Sequence, residues 1–301
     1  MEFIGKVKNG NYWKILCSDG TLIKYNKEDK LIPEYPDSMD IKVTNSCSIG
    51  CSWCHENSLP NGKHGDIMNA KFIETLLPYT ELAIGGGNPL EHPDLIPFLE
   101  KCKSLKLIPN MTVNQKHFIE NYDLLVNLIE NKLIYGLGVS LTNPKQEGFI
   151  EKIKTIPNAV IHVINGVHSI EILKELYDNN LKLLILGYKD FRRGKNYHNT
   201  LVDTTKQALY TELPELVNHF NVVSFDNLAL KQLNPKRLLT DEQWNMYYAG
   251  EDGTHTMFID LVNNTYSTSS TTPEEERKPL LEDIKPMFED IRNINKAKVG
   301  L

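Results

Sequence analysis

The sequence has no run of about 18 apolar residues, the length a membrane-spanning helix needs, which excludes a helical membrane span. Its opening, Met-Glu-Phe-Ile-Gly-Lys, lacks the basic-then-apolar pattern of a secretory signal, so the expected compartment is cytoplasmic. Cysteine is scarce, five in 301 residues. An odd number with three clustered makes a poor disulfide framework and fits metal binding in a reducing compartment. Positive charge is in deficit as well: 33 basic against 39 acidic residues leave a net charge of −6. Such a balance offers a polyanion no long-range attraction and weighs against a nucleic-acid partner. No repeat or low-complexity tract is present, and the most biased stretch, Ser267 to Glu276, is too short for a linker.

What is present suits a globular enzyme, since 41% hydrophobic residues allow a sizeable core. Residues 1–36 read as a small antiparallel β meander, with turns at Asn9-Gly10-Asn11 and Ser18-Asp19-Gly20 between β-rich runs. From residue 37 to about 230 strands and helices alternate. Strands are expected at Ile41–Thr44, Glu81–Gly85, Ile108–Val113, Ile134–Leu141, Ala159–Ile164 and Leu181–Gly187. The expected helices between them include Asn69–Tyr79, His92–Lys106 and one within Lys145–Thr155. This is an α/β pattern with a parallel sheet and right-handed crossovers, a barrel or partial barrel. Thr204–Phe220 is a sixth helix, Val222–Leu230 a possible further strand, and residues 231–301 an α+β extension. In that extension a capped helix opens at Thr240, a strand runs Thr256–Val262, and a terminal helix covers Leu280–Ile291.

The first barrel strand runs straight into Cys47, Cys51 and Cys54, spaced CxxxCxxC. Three thiolates from one loop can hold three irons of a cubane cluster and leave the fourth open. Iron–sulfur clusters ordinarily take four cysteines, so a set of three points to a position kept for a small molecule. Other readings stand beside it. His55 or Cys17 could complete a structural zinc site, and Cys51 with Cys54 alone would be a redox pair that leaves Cys47 unexplained.

With Trp53 in the aromatic slot before the last cysteine, the loop resembles that of the radical S-adenosylmethionine (SAM) enzymes. The resemblance covers residues 38–230 or so and implies a partial (β/α)6 TIM-like barrel. It also implies a [4Fe-4S] cluster on Cys47, Cys51 and Cys54, with SAM chelated to the open iron. Reductive cleavage of SAM would give a 5′-deoxyadenosyl radical that takes a hydrogen atom from the substrate, with the electron coming from a donor such as a flavodoxin or ferredoxin. Gly85-Gly86-Gly87-Asn88-Pro89, after the second strand, aligns with the family's GGEP segment, which holds the amino group of SAM. Asn88 replaces the acid there and brings no charge, so another carboxylate could substitute. No Gly-Lys-Ser/Thr follows, so this is not a phosphate loop.

In a barrel of this kind the site gathers at the C-terminal strand ends. Asn114 and Ser140 fall where the family places polar groups near the ribose and methionine of SAM, and Ile164 where it contacts adenine. Asn114 could equally cap the next helix. After the sixth strand, Lys189 and Arg193 are candidates for holding a carboxylate of cofactor or substrate. His55, Glu56 and His64 are available for proton transfer, His162 reads as a core histidine, and Asp226 and Asp260 lie near late strands. Cys17 and Cys102, far apart in sequence, provide no auxiliary cluster. Two alternatives remain: a non-catalytic iron–sulfur or zinc-binding protein, and SAM-dependent group transfer without a free radical. The substrate could be a small molecule, nucleotide-like or a peptide.

Overall fold

The computed structural model describes residues 2–28 and 30–299. The turn residues divide the N-terminal segment into β1 (Phe3–Asn9), β2 (Tyr12–Cys17) and β3 (Leu22–Tyr25), an antiparallel sheet of its own. Gly10, at φ 57°, and Gly20, at φ 86°, take the left-handed turn positions that glycine adopts without strain.

Ten further strands build the larger sheet among the described residues. They are β4 (Ser38–Thr44), β5 (Glu81–Gly86), β6 (Ile108–Asn114), β7 (Gly136–Ser140) and β8 (Ala159–Ile164), then β9 (Lys182–Leu186), β10 (Val222–Phe225), β11 (Thr256–Asp260), β12 (Thr265–Ser267) and β13 (Lys278–Pro279). From β10 through β9, β8, β7, β6, β5 and β4 to β11 every neighbour is parallel, and β12 and β13 add antiparallel strands beyond β11. The six strands expected from sequence are thus flanked by one more parallel strand at each edge. β11 lies directly beside the cysteine-bearing strand β4, with Ile259 opposite Ile41.

The period of two along each strand separates two environments. Met39, Ile41 and Val43 of β4 join the core under the helices, while Asp40, Lys42 and Thr44 alternate with them and face the lumen. Leu82 and Ile84, Met111 and Val113, Leu137 and Val139, and Ile161 and Val163 continue that core from strand to strand. The core against the helices is therefore continuous and apolar.

Several helices differ from expectation. Asn69–Tyr79 yields only a 3₁₀ turn at Lys71–Thr75, because Leu76 is already extended and Pro78 disfavours a helical residue before it. The helix expected from His92 begins at Leu95, after a 3₁₀ turn at Pro89–Glu91. Val222–Leu230 is a strand only to Phe225. Asp226 then accepts from the Ala229 N–H at 2.7 Å and caps a helix, Asn227–Leu233. The capping box at Thr240 opens the helix Asp241–Tyr247, and the last helix runs Ile284–Val299 after β13.

One buried carboxylate fastens the meander to the barrel. Asp37, just before β4, accepts from Tyr12 Oη at 2.6 Å and Asn9 Nδ2 at 3.0 Å, pairs with Lys24 at 2.6 Å, and meets His255 Nδ1 at 3.1 Å. Burial pushes its carboxyl up, but the His255 hydrogen bond and the Lys24 and Lys14 charges outweigh that and hold it well below the usual range. A depressed carboxylate stabilises the fold above its unfolded-state value and loses that contribution as the pH falls through its folded value. Asp37→Asn, which strands Lys14 and Lys24, is expected to cost about 3 kcal/mol. The urea midpoint at pH 7 measures it, and an unchanged midpoint would mean that the network adds no stability.

Candidate active site

The cysteine loop leaves β4 at Thr44 and folds back on itself. The Asn45 N–H donates to Lys63 O at 2.8 Å, Cys47 N–H to Leu59 O at 3.0 Å and Leu59 N–H to Asn45 O at 3.1 Å. Cys47, Cys51 and Cys54 are each half-buried, with free thiols. Burial, followed by the charges of Cys54 and Cys47, pushes the Cys51 thiol up to about 11, and burial also raises Cys47. At Cys47 and Cys51 burial and neighbouring thiolate charge disfavour ionisation, so their thiolates need a positive partner, and a metal centre supplies one. Among the described residues no three His, Cys, Asp or Glu side chains converge to hold a single metal ion.

The glycine segment after β5 lies against this loop. The Gly87 N–H donates to Thr44 O at 2.7 Å and the Asn88 N–H to Ser46 O at 2.6 Å. A Cβ on Gly86 would fall 2.4 Å from Thr44 O, and one on Gly87 2.1 Å from Ser46 O, so only glycine permits the contact. Asn88 is buried. Its Oδ1 accepts from the Leu90 N–H at 3.3 Å and its Nδ2 donates to Glu91 Oε1 at 3.2 Å. Glu91 in turn accepts from Ser46 Oγ at 2.6 Å and the Ser48 N–H at 3.1 Å, which flank Cys47. A carboxylate therefore stands one turn beyond Asn88. Its position three residues on was the one available signal.

The remaining candidates fall at neighbouring strand ends. Asn114 and Ser140 are register partners on β6 and β7. Asn114 Oδ1 accepts from the Lys116 N–H at 2.9 Å and caps the helix Gln115–Glu120, so its side chain performs the capping role. Ile164 ends β8, and its N–H donates to His168 Nδ1 at 3.0 Å. Trp53 meets the His168 ring edge-on at 6.4 Å and Tyr197 at 5.5 Å, which joins the cysteine loop to the ends of β8 and β9.

Lys189 and Arg193 are both near the loop but differently engaged. Lys189 Nζ donates to Ser270 Oγ at 2.9 Å and lies 3.1 Å from His55 Nε2. Arg193 donates to Cys51 O at 3.1 Å and to Ser58 O, so its guanidinium binds loop carbonyls instead of facing outward for a carboxylate. Beneath the loop lies a buried ion network that sequence reasoning missed. Lys42 Nζ is 2.8 Å from Glu56 and 3.4 Å from Asp260, and Arg277 is 3.3 Å from Asp260. Glu56 also faces His55 Nε2 at 3.2 Å, and burial followed by the Lys189 charge lowers the His55 imidazole. His64 is exposed, with Nδ1 2.9 Å from Thr44 Oγ1.

No protein-family model matches the sequence, and no curated protein matches it. Solved structures do match. SuiB of Streptococcus suis bound to its precursor peptide SuiA aligns with a TM-score of 0.56 and 17% identity, over 87% of this chain and 67% of that one. SuiB bound to S-adenosylmethionine gives 0.55 and 16%, over 87% and 66%. Native anSMEcpe with bound AdoMet gives 0.56 and 14%, over 85% and 82%. The chain spans about two thirds of the length of SuiB. It has the partial-barrel fold of the radical SAM enzymes. Among the described residues no helix is long and apolar enough to cross a membrane.

Proposed function

We propose that this chain is a radical SAM enzyme, its substrate a small molecule, a nucleotide-like compound or a peptide. The observation that carries the reading is the three-thiol loop at the end of β4, backed by the glycine segment of β5, in a fold shared with structures that hold SAM. Cys47, Cys51 and Cys54 would hold a [4Fe-4S] cluster. With SAM bound, such a centre would supply the one-electron chemistry that cleaves SAM and yields a 5′-deoxyadenosyl radical able to abstract hydrogen from substrate. The chain's own residues position and enclose. Gly86 and Gly87 allow backbone to approach the loop, Trp53 covers one flank, and the Lys42 network and Arg193 keep the loop in one conformation. Asn114, Ser140 and Ile164 line the strand ends where the ribose, methionine and adenine of SAM would lie. Lys189 remains a candidate for a carboxylate at the mouth. A flavodoxin or ferredoxin would supply the electron, and a reducing cytoplasm would protect the cluster.

Anaerobic reconstitution with iron and sulfide, then dithionite and SAM, tests the reading by mass detection of 5′-deoxyadenosine. Its appearance is the expected result. Methyl or other group transfer without 5′-deoxyadenosine would favour the non-radical alternative. Retained zinc and no cluster would leave a binding protein.

A further inference from the structure

Barrel interiors are ordinarily filled by layers of bulky branched side chains. This one holds a cavity of about 490 Å³, which reaches from the starts of β5 to β10 up to Thr112 and His162. The turn after Cys17 borders it below, and Asn158 Nδ2 donates to Ser18 O at 3.0 Å, tying that turn to the start of β8. The volume matches a small-molecule site.

The space exists because β7 presents only glycines to it, Gly136 and Gly138, and polar side chains from both neighbouring strands lie across them. A Cβ on Gly136 would fall 2.8 Å from Asn110 Oδ1, and one on Gly138 would fall 2.6 Å from His162 Nε2 and 2.8 Å from Thr112 Oγ1. The period of two sets these glycines roughly 7 Å apart along the strand, so Asn110, Thr112 and His162 form one polar row of that length. Among the described residues none of the three side chains hydrogen-bonds to another protein group. Burial alone lowers His162 to about 4, so at neutral pH it offers one donor and one acceptor.

The charged groups on the lower rim have partners of their own. Lys182 Nζ donates to Pro157 O at 3.2 Å, Asp19 accepts from the Thr21 N–H at 3.1 Å, and Lys14 is the foremost charge opposing the burial of Glu81. Much of the remaining wall is apolar, with Ile108, Val160, Leu184 and Val222. A polyol carries hydroxyls on every side, and those turned to that wall would lose water without gaining a partner. An ion would leave water for a row that holds no counter-charge. A planar molecule with one amide-like edge and two apolar faces meets both conditions.

We infer that the lumen binds an uncharged, planar nitrogen heterocycle of the nucleobase type, its polar edge on Asn110, Thr112 and His162 and its faces against the apolar wall. Calling this molecule the substrate, or part of one, rests on the radical-enzyme reading; the binding itself does not.

Calorimetric titration of the full-length, reconstituted protein at pH 7.5 tests it, with uracil and adenine as the bases, glucose as the polyol, and benzoate and benzylamine as planar ions. At least one base is expected to bind saturably and about tenfold or more tightly than glucose or either ion, the scale of one or two net hydrogen bonds. Thr112→Val and Asn110→Leu remove hydrogen-bonding groups at similar size, and each should weaken that base about tenfold while the melting curve is kept. If Asn110→Leu does not fold, Thr112→Val, the smaller change, decides. Saturating SAM, whose own adenine belongs at the strand ends, should leave base binding in place. Failure of both bases to bind, equal binding of glucose or an ion, unchanged affinity in either folded variant, or displacement by SAM would each overturn the inference. Formation of 5′-deoxyadenosine by the unmodified protein without any base reports on the radical reading separately, so the two can fail independently.

Discussion

Cys51→Ala will leave a folded protein that binds little iron and forms 5′-deoxyadenosine only at background. The backbone of residue 51 carries the local structure, since its carbonyl accepts from the Cys54 N–H at 3.2 Å and from Arg193 at 3.1 Å. Alanine preserves both contacts. The side chain is half-buried and makes no packing contribution that a methyl group would lose by more than about 1 kcal/mol. The expected loss is thus confined to the metal centre, and reads as an unchanged melting curve beside a large fall in iron and sulfide per chain. Cleavage retained by this variant would remove the basis of the functional assignment.

Glu91→Gln is expected to weaken the same centre by a different route. The carboxylate accepts from Ser46 Oγ, the Ser48 N–H and Asn88 Nδ2, and an amide must turn its NH₂ toward one of those donors. Burial pushes Glu91 up, but those hydrogen bonds outweigh it and hold its carboxyl below the ordinary glutamate value. The support is therefore complete at neutral pH and is lost only in acid, as the pH falls from the ordinary value near 4.3 through the folded one. Groups that orient metal ligands are typically worth about ten- to a hundredfold in affinity. Iron content and SAM affinity, read separately, distinguish two roles. A full cluster with weak SAM binding, restored by Asn88→Glu in the same chain, would mean that Glu91 provides the charge Asn88 lacks. Poor iron loading that Asn88→Glu does not restore would mean that it braces the loop around Cys47. No change in either would assign it neither role.

The strands and cysteines were legible because both signals are local. Alternation along β4 and the CxxxCxxC spacing each lie within one short segment. The helix expected at Asn69–Tyr79 had the apolar spacing of a helix, but Pro78 and the early extension at Leu76 leave only a 3₁₀ turn. The cation at position 193 was legible as a charge near the mouth. Its targets were not, because backbone carbonyls carry no sequence signature. The Lys42 network was invisible for a similar reason: Asp260 and Arg277 come from β11 and the segment before β13, and nothing near Lys42 announces them. Asn114 shows a third case, where one side chain suited two roles and the helix cap is the one the geometry displays.

The pairing of β11 with β4 brings together opposite ends of the chain. A ribosome that has just released the three cysteines has produced neither Asp260 nor Arg277. Lys42 then has only half of its counter-charges, and β4 has one of its two neighbours. Contacts this distant in sequence form late. The nascent loop is therefore unbraced for most of synthesis, and the finished cysteine site belongs to the completed polypeptide. A truncation ending before Thr256 would keep every thiol and lose the strand that holds them in register.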